Sequence, residues 1–181
     1  MKIISYNTRG LGGVAKKKEI LNMIKVQKPT FVCIQETKVE VLDRNICFSM
    51  WGSNEFDFAS KPSEGRSGGI VTMWDRSKFE LQNSRILNHA IWVEGVWGKE
   101  KRKVIIINVY APCNGRRKRE LWVELKARLT EKQGVCVCVL GDFNAVRDVE
   151  ERKGSNENNR REEMEDFNNF ISDLDLIDLP L

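Results

Sequence analysis

Asp142 and Asn144 stand two residues apart, directly after an apolar stretch at 135–140 that reads as a β-strand buried on both faces, rich in valine and too short for a helix. The strand stops at Gly141, and alternation along an extended backbone would put the carboxylate and the carboxamide on one side with Phe143 turned away. Polar side chains at the end of a buried strand are costly unless something uses them. One reading is an Asx turn, in which both only bond nearby backbone. The other reading gathers further residues in the same kind of position: Asn7 follows an apolar run at 2–6, Glu36 follows one at 31–35, and Tyr110 closes another at 104–110. Carboxylates, amides and a phenol, with no histidine or thiolate among them, are hard oxygen donors suited to Mg²⁺, with Mn²⁺ as the substitute. Such an ion can stabilise the charge that develops as a phosphodiester is attacked. A second carboxylate can orient or deprotonate the attacking water, while amides and phenol hold phosphoryl oxygens. No serine or cysteine is paired with a base in the manner of a nucleophile.

The elements that must position these residues follow from patterning. Residues 2–6 and 31–35 read as strands. Residues 16–27 read as a helix with Ile20, Leu21 and Ile24 on one face, ended by Pro29. Gly10, Gly12 and Gly13 form a turn without the spacing of a dinucleotide loop, so no small-molecule cofactor is expected. The signal over 40–66 is weak, with residues 61–67 read as a polar loop. A third strand is expected at 68–74, a turn at 75–77, alternation at 86–96, and a hairpin tip at the basic cluster 99–103. Residues 104–110 are the strongest strand. Residues 116–132 form an amphipathic helix with Leu121, Trp122, Leu125 and Leu129 inward, and its start carries four cations at 116–119 that the helix dipole disfavours, so phosphate is one candidate to hold them. Residues 147–161 read as a loop and 162–173 as a last helix with Met164, Phe167, Ile171 and Leu174 inward. A further strand is due near 177–181. Several consecutive strands with interspersed helices and no internal boundary predict one α/β domain, a sandwich rather than a purely parallel sheet.

Composition narrows the class. Hydrophobic residues at 41% and charged residues at 31% of 181 describe a globular chain, and no apolar run approaches the roughly 18 residues of a membrane span, so no membrane partner is expected. Five cysteines, Cys33, Cys47, Cys113, Cys136 and Cys138, are odd in number and lack Cys-X-X-Cys spacing. They are expected to be reduced, small core residues of a nuclear or cytoplasmic protein. Residues 1–147 hold 26 Lys+Arg against 15 Asp+Glu, and residues 148–181 hold 4 against 11. A body that basic suits a polyanion, though a solvated surface with no partner also accounts for it.

Five stretches in order, Ile4-Ser-Tyr-Asn-Thr-Arg-Gly10, Val32-Cys-Ile-Gln-Glu-Thr-Lys38, Gly65-Arg-Ser-Gly-Gly69, Asn108-Val-Tyr-Ala-Pro112 and Leu140-Gly-Asp-Phe-Asn-Ala145, resemble the endonuclease/exonuclease/phosphatase superfamily. Their wording is most similar to the endonuclease domains of plant-type non-LTR (LINE) retrotransposons. The resemblance implies a four-layer α/β/β/α sandwich of two mixed sheets and Mg²⁺-dependent cleavage of DNA. It implies Glu36 as metal ligand and Asn7 as its polar support. Tyr110 would contact phosphate, Asp142 activate water, and Asn144 donate to the transition state. Two departures stand out. Cys113 occupies a place where the superfamily often has asparagine. The Ser-Arg-hydrophobic-Asp and closing Ser-Asp-His motifs of related domains do not occur, and the one histidine, His89, matches neither and reads as structural or exposed. The expectation is an endonuclease domain truncated before its final strands, weak or inactive alone and binding DNA through 99–103 and 116–119. The alternatives are a non-catalytic nucleic-acid-binding remnant and a phosphatase of the same superfamily.

Overall fold

The computed structural model describes residues 1–65, 67–148 and 158–179, the side chains of 158–160 excepted. Two mixed β-sheets with flanking helices make an α/β sandwich, the class expected from the strand and helix patterning. The chain divides into two compact parts, Met1–Tyr110 with Val135–Asp142, and Ala111–Gly134 with the chain from Phe143 onward.

The first part contains all eight strands. One sheet has the order β1 (Ile3–Asn7), β2 (Phe31–Gln35), β4 (Ser67–Asp75), β3 (Phe56–Glu64). The other runs β5 (Phe79–Ile86), β6 (Ala90–Trp97), β7 (Arg102–Tyr110), β8 (Cys136–Asp142). β1 pairs parallel with β2, and β7 parallel with β8; the remaining pairings are antiparallel. Period-two alternation sorts each strand between two cores. Phe31, Cys33, Ile70 and Trp74 of one sheet pack with Phe79, Ile91, Val93, Val104 and Ile106 of the other. The intervening residues Val32, Ile34, Val71 and Met73 face instead α1 (Val14–Gln27) and α2 (Arg44–Trp51), where they meet Ile20, Ile24, Cys47 and Met50.

Local chemistry sets the helix ends. Lys28 closes α1 in a left-handed conformation, returning its N–H to the Ile24 carbonyl at 2.8 Å, just before Pro29. Asp43 accepts from the Ile46 N–H at 2.8 Å to start α2, and Gly52 ends it with φ +83. These caps lie in the stretch where periodicity is weak, so α2 and β3 were not expected there. Residues 61–64, read as loop, complete β3. The alternation at 86–96 falls almost wholly in β6, with Ile86 as the last residue of β5 and residues 87–89 between them.

The second part contains α3 (Gly115–Leu129) and α4 (Asn158–Asp173). Leu121, Trp122, Leu125 and Leu129 are buried as expected, and Trp122 stands among Phe143, Phe167 and Phe170, with ring centroids 5.0–6.2 Å away. On α4 the buried pair is Phe167 and Phe170; Met164, Ile171 and Leu174 are only partly covered, so the inward face is rotated from the expected one. Of the loop expected at 147–161, residues 149–157 lie outside the described residues, and α4 starts at Asn158. The strand due near 177–181 is absent over 177–179, where Ile177 and Leu179 are exposed. Residues 180–181 lie outside the described residues.

The edge position of β8 changes the reading of two cysteines. With one neighbour strand, β8 is half-buried, not buried on both faces, and Cys136 is exposed at its start, as is Cys113 in the second part. Cys33 and Cys47 are core residues, and burial pushes the Cys47 thiol up to about 12 and Cys33 higher still. A disulfide-exchange reagent added to native protein at pH 8 should therefore modify Cys113 and Cys136 rapidly and Cys33 and Cys47 only on unfolding. Mass-spectrometric mapping of the labelled thiols checks this.

Candidate active site

The inward-facing rows of four strands, β1, β2, β7 and β8, become polar toward the same end. β1 runs Ile3, Ser5, Asn7; β2 runs Phe31, Cys33, Gln35; β7 runs Val104, Ile106, Asn108, Tyr110; β8 runs Cys138, Leu140, Asp142. In register, Asn7 lies beside Gln35, and Tyr110 beside Asp142. The carboxyl ends of both parallel pairs thus form one rim. The Asn7 amide spans it: Nδ2 donates to Asp142 Oδ2 at 2.6 Å, while its Oδ1 accepts from the Arg9 N–H at 2.9 Å. The two bonds together fix which way the amide points.

A second polar layer lies beneath. Gln35 and Asn108 are 1% and 0% exposed, and Gln35 Nε2 donates to Asn108 Oδ1 at 2.6 Å across the two sheets. Asn108 Nδ2 donates to the Val71 carbonyl at 3.0 Å and to Thr72 Oγ1 at 3.1 Å, and Gln35 also reaches Ser5 Oγ at 3.2 Å. These supports were not picked out as site residues from the sequence. The available signal was a lone polar residue on the inward alternation of an otherwise apolar strand.

Glu36 follows Gln35 at once and takes φ +55, a conformation that costs about 1–3 kcal/mol for a residue with a side chain. Its surroundings over-determine it. The Thr8 hydroxyl donates to the carbonyls of Gln35 and Glu36, both at 3.1 Å. The Gly10 N–H donates to the Glu36 carbonyl at 2.8 Å, and the N–H groups of Thr37 and Lys38 reach the carbonyls of Gly69 and Gly68 at 3.0 Å. A Cβ on Gly69, with φ +84, would stand 2.2 Å from Thr37 Oγ1, so this approach needs glycine. The Glu36 carboxylate is mostly covered and pairs with Lys38 Nζ at 2.9 Å. Gly141, at φ +131, is the other such position: a Cβ there would lie 2.0 Å from the Val109 carbonyl oxygen, one residue before Asp142.

Four of the five expected residues, Asn7, Glu36, Tyr110 and Asp142, therefore stand at the carboxyl ends of strands in the first part. Asn144 belongs to the second part, and the alternation expected to pair it with Asp142 does not reach it, because β8 ends at Asp142 and Asn144 has φ +45. There its Nδ2 donates to the Ala111 carbonyl at 2.7 Å and its own carbonyl accepts from Lys118 Nζ at 2.9 Å. Lys118, 3% exposed, also pairs with Glu163. Arg119 bonds Asp166 at 2.8 Å and Glu162 at 2.5 Å, Arg116 bonds Glu120 at 3.2 Å, and the Asn114 side chain caps α3 by accepting from the Arg117 N–H at 3.1 Å. The cations at 116–119 are thus held mainly by carboxylates and not left for phosphate. His89, read as structural or exposed, has its backbone at the rim, where its carbonyl accepts from the Tyr110 N–H at 2.9 Å.

The donor set fits a hard divalent ion by its chemistry: Glu36 and Asp142 offer carboxylate oxygen, Asn7 supports Asp142 through its amide N–H, and no imidazole or thiolate is assigned among them. Among the described residues no three His, Cys, Asp or Glu side chains cluster as a metal cage. Mg²⁺ bound through one or two carboxylates and waters does not require one.

Residues 4–176 match the sequence profile described as the Endonuclease/Exonuclease/phosphatase family. The chain belongs to that family. Members of the endonuclease/exonuclease/phosphatase family are hydrolases of phosphodiester bonds and generally depend on a divalent metal, commonly Mg²⁺. The fold is shared with the AP endonuclease LMAP from Leishmania major, at TM-score 0.70 and 16% identity, over 96% of this chain and 66% of that one. It is shared with the Xenopus laevis APE2 catalytic domain at 0.70 and 17%, over 94% and 67%. The human nocturnin catalytic domain with bound sulfate anion gives 0.61 and 18%, over 81% and 64%. The chain spans about two thirds of the length of these structures.

Asn108→Ala should test the buried layer. It strips Gln35 and Thr72 of a partner while leaving the rim residues in place, and a lost buried partner costs about 1–3 kcal/mol. Urea unfolding should show that loss with an unchanged m-value.

Proposed function

We propose that this chain is a metal-dependent phosphodiesterase module acting on DNA, of the endonuclease type carried by non-LTR retrotransposons. The observation that carries the reading is the 2.6 Å bond from Asn7 to Asp142 at the strand-end rim that also holds Glu36 and Tyr110. The motif wording quoted above, the family membership and the basic balance of residues 1–147 support it. That the LMAP protein is described as an AP endonuclease is consistent with a DNA substrate.

In this reading Asp142, its carboxylate held by Asn7, orients a water and takes its proton as the water oxygen attacks phosphorus. The bond from phosphorus to the leaving oxygen breaks, and that oxygen departs to be protonated. Tyr110 holds a non-bridging phosphoryl oxygen, and Asn144 donates to the pentacoordinate transition state. Glu36 would hold the metal, with Lys38 as the cation that balances its carboxylate otherwise. When bound, Mg²⁺ or Mn²⁺ supplies Lewis-acid neutralisation of charge on a phosphoryl oxygen.

The 181 residues contain no Ser-Asp-His and a single histidine. A member missing from a cooperative site commonly costs on the order of 10³ or more in rate. Nicking of supercoiled plasmid by this chain in Mg²⁺ should therefore be near background, and RNA or inositol phosphates should be no better as substrates. Robust nicking abolished by Asp142→Ala would show that the rim suffices without that motif. DNA binding that neither Mg²⁺ nor Glu36→Gln alters would favour a non-catalytic nucleic-acid-binding module.

Metal binding is separable from turnover. Glu36→Gln should weaken Mg²⁺ binding by at least about tenfold in a calorimetric titration, with thermal unfolding little changed. Equal affinities would remove Glu36 from the metal site.

A further inference from the structure

The end of the sandwich opposite the rim has a different character. Register places Ile3 beside Phe31 and Phe79 beside Trp97, which pairs with Arg102, so residues flanking these positions lie at the far end of the strands from Asn7 and Asp142. Along β7 the two ends are roughly 26 Å apart at about 3.3 Å per residue. A pocket of about 610 Å³ opens there, lined by Lys2, Lys28, Lys78, Lys99, Thr30 and Trp97 among others, and no acidic residue lines it. All four lysines are exposed, and Trp97 is partly so.

Local pairing makes this surface more cationic than its neighbours. In the basic hairpin, Lys101 pairs with Glu80 and Arg102 with Glu100, whereas Lys99 has no ion pair among the described residues. Lys28 likewise has none, and Lys2 bonds only the neutral Gln27 amide at 3.1 Å. Of the four, Lys78 alone is ion-paired, with Asp75 at 2.8 Å. Lys28 is also held in place by its left-handed backbone at the end of α1 and by the N–H bond to Ile24.

We propose that this lysine pocket is a second nucleic-acid-binding surface, separate from the rim, that takes a single strand. Point charges spaced around a concavity match successive phosphates, and the indole of Trp97 offers an unpaired base a stacking face. A concave pocket admits splayed bases, which a duplex keeps stacked inside its phosphate ridges. The surface requires neither bound metal nor cleavage, so it stands or falls apart from the reaction assigned to the rim.

The test is fluorescence anisotropy of labelled oligothymidine, roughly 12 nucleotides long, with the full 181-residue chain across a salt series. Lys28→Glu/Lys99→Glu should weaken binding at least tenfold and flatten the salt slope by about 1.4, the loss of two phosphate contacts to a single strand. Lys18→Glu/Arg85→Glu changes net charge equally at exposed positions outside the pocket and should weaken binding far less. Lys28→Gln/Lys99→Gln gives the same reading with less repulsion should the glutamate pair fail to fold, which a thermal melt reports. An affinity unchanged in the pocket variants, or lowered equally in the control, overturns the proposal. So does a loss confined to vesicles of phosphatidylcholine and phosphatidylserine with oligothymidine binding intact.

Discussion

The two sheets meet at their edge strands β1 and β8, and the hydrogen bond from Asn7 to Asp142 is what holds those edges in register at the rim. A hydrogen bond to a charged group is worth about 1.5–3 kcal/mol net, enough to fix a side chain but not a fold. Its position gives it leverage. An edge strand has only one neighbour to hold it, and here each edge strand ends in the residue that reaches the other sheet. The Gln35 to Asn108 bond repeats the arrangement one row deeper between the inner strands β2 and β7, where burial makes an unpaired amide far more costly. Together they tie the four strand ends at the rim, those of β1, β2, β7 and β8.

Alternation explains why chemistry and core do not compete. The inward rows of β1, β2, β7 and β8 start apolar and end in an amide, phenol or carboxylate. Hydrophobic burial is thus concentrated in mid-strand, and desolvation is spread over partners that satisfy one another. Past the strand ends, regular backbone can no longer aim a side chain back over the rim. In the first part a left-handed residue takes over: Glu36, clamped by Thr8 and Gly10.

Strand-end polar residues were legible in sequence because a carboxylate or amide after an apolar run violates burial so plainly. The strands β2 and β7 were legible for the same reason: Phe31–Gln35 and Val104 onward are long apolar runs. Two kinds of information were not. Edge position is a property of neighbours, so the valine-rich run of β8 read as doubly buried although one side has no partner strand. Backbone handedness at Glu36 and Asn144 depends on contacts from residues distant in the chain; a glutamate gives no sign of φ near +50, and an asparagine only tolerates it better than most. The amides Gln35 and Asn108 show in the sequence only as single polar residues on inward rows, and nothing in the local pattern pairs one with the other across the two sheets. In 40–66 the eight residues of α2 are too few for periodicity to speak.

Charge followed the same logic of partners over composition. The acidic excess of residues 148–181 is not a separate tail property, because Glu162, Glu163, Asp166 and Asp173 of α4 answer Arg119, Lys118 and Lys126 of α3. Lys118 and Arg119 sit near the start of a helix whose dipole does not favour them there, and carboxylates rather than phosphate resolve the conflict, whereas Lys126 lies in the last turn, where the dipole favours a cation. Three cations of the basic excess of residues 1–147 are thereby neutralised inside the second part. What remains for a polyanion is the unpaired fraction, and lysines such as Lys2, Lys28 and Lys99 belong to it because no carboxylate lines the pocket they share. A count of charges along a sequence overstates the surface available to nucleic acid wherever helices of opposite sign can pair. The better guide is which cations the fold leaves without an acid in reach.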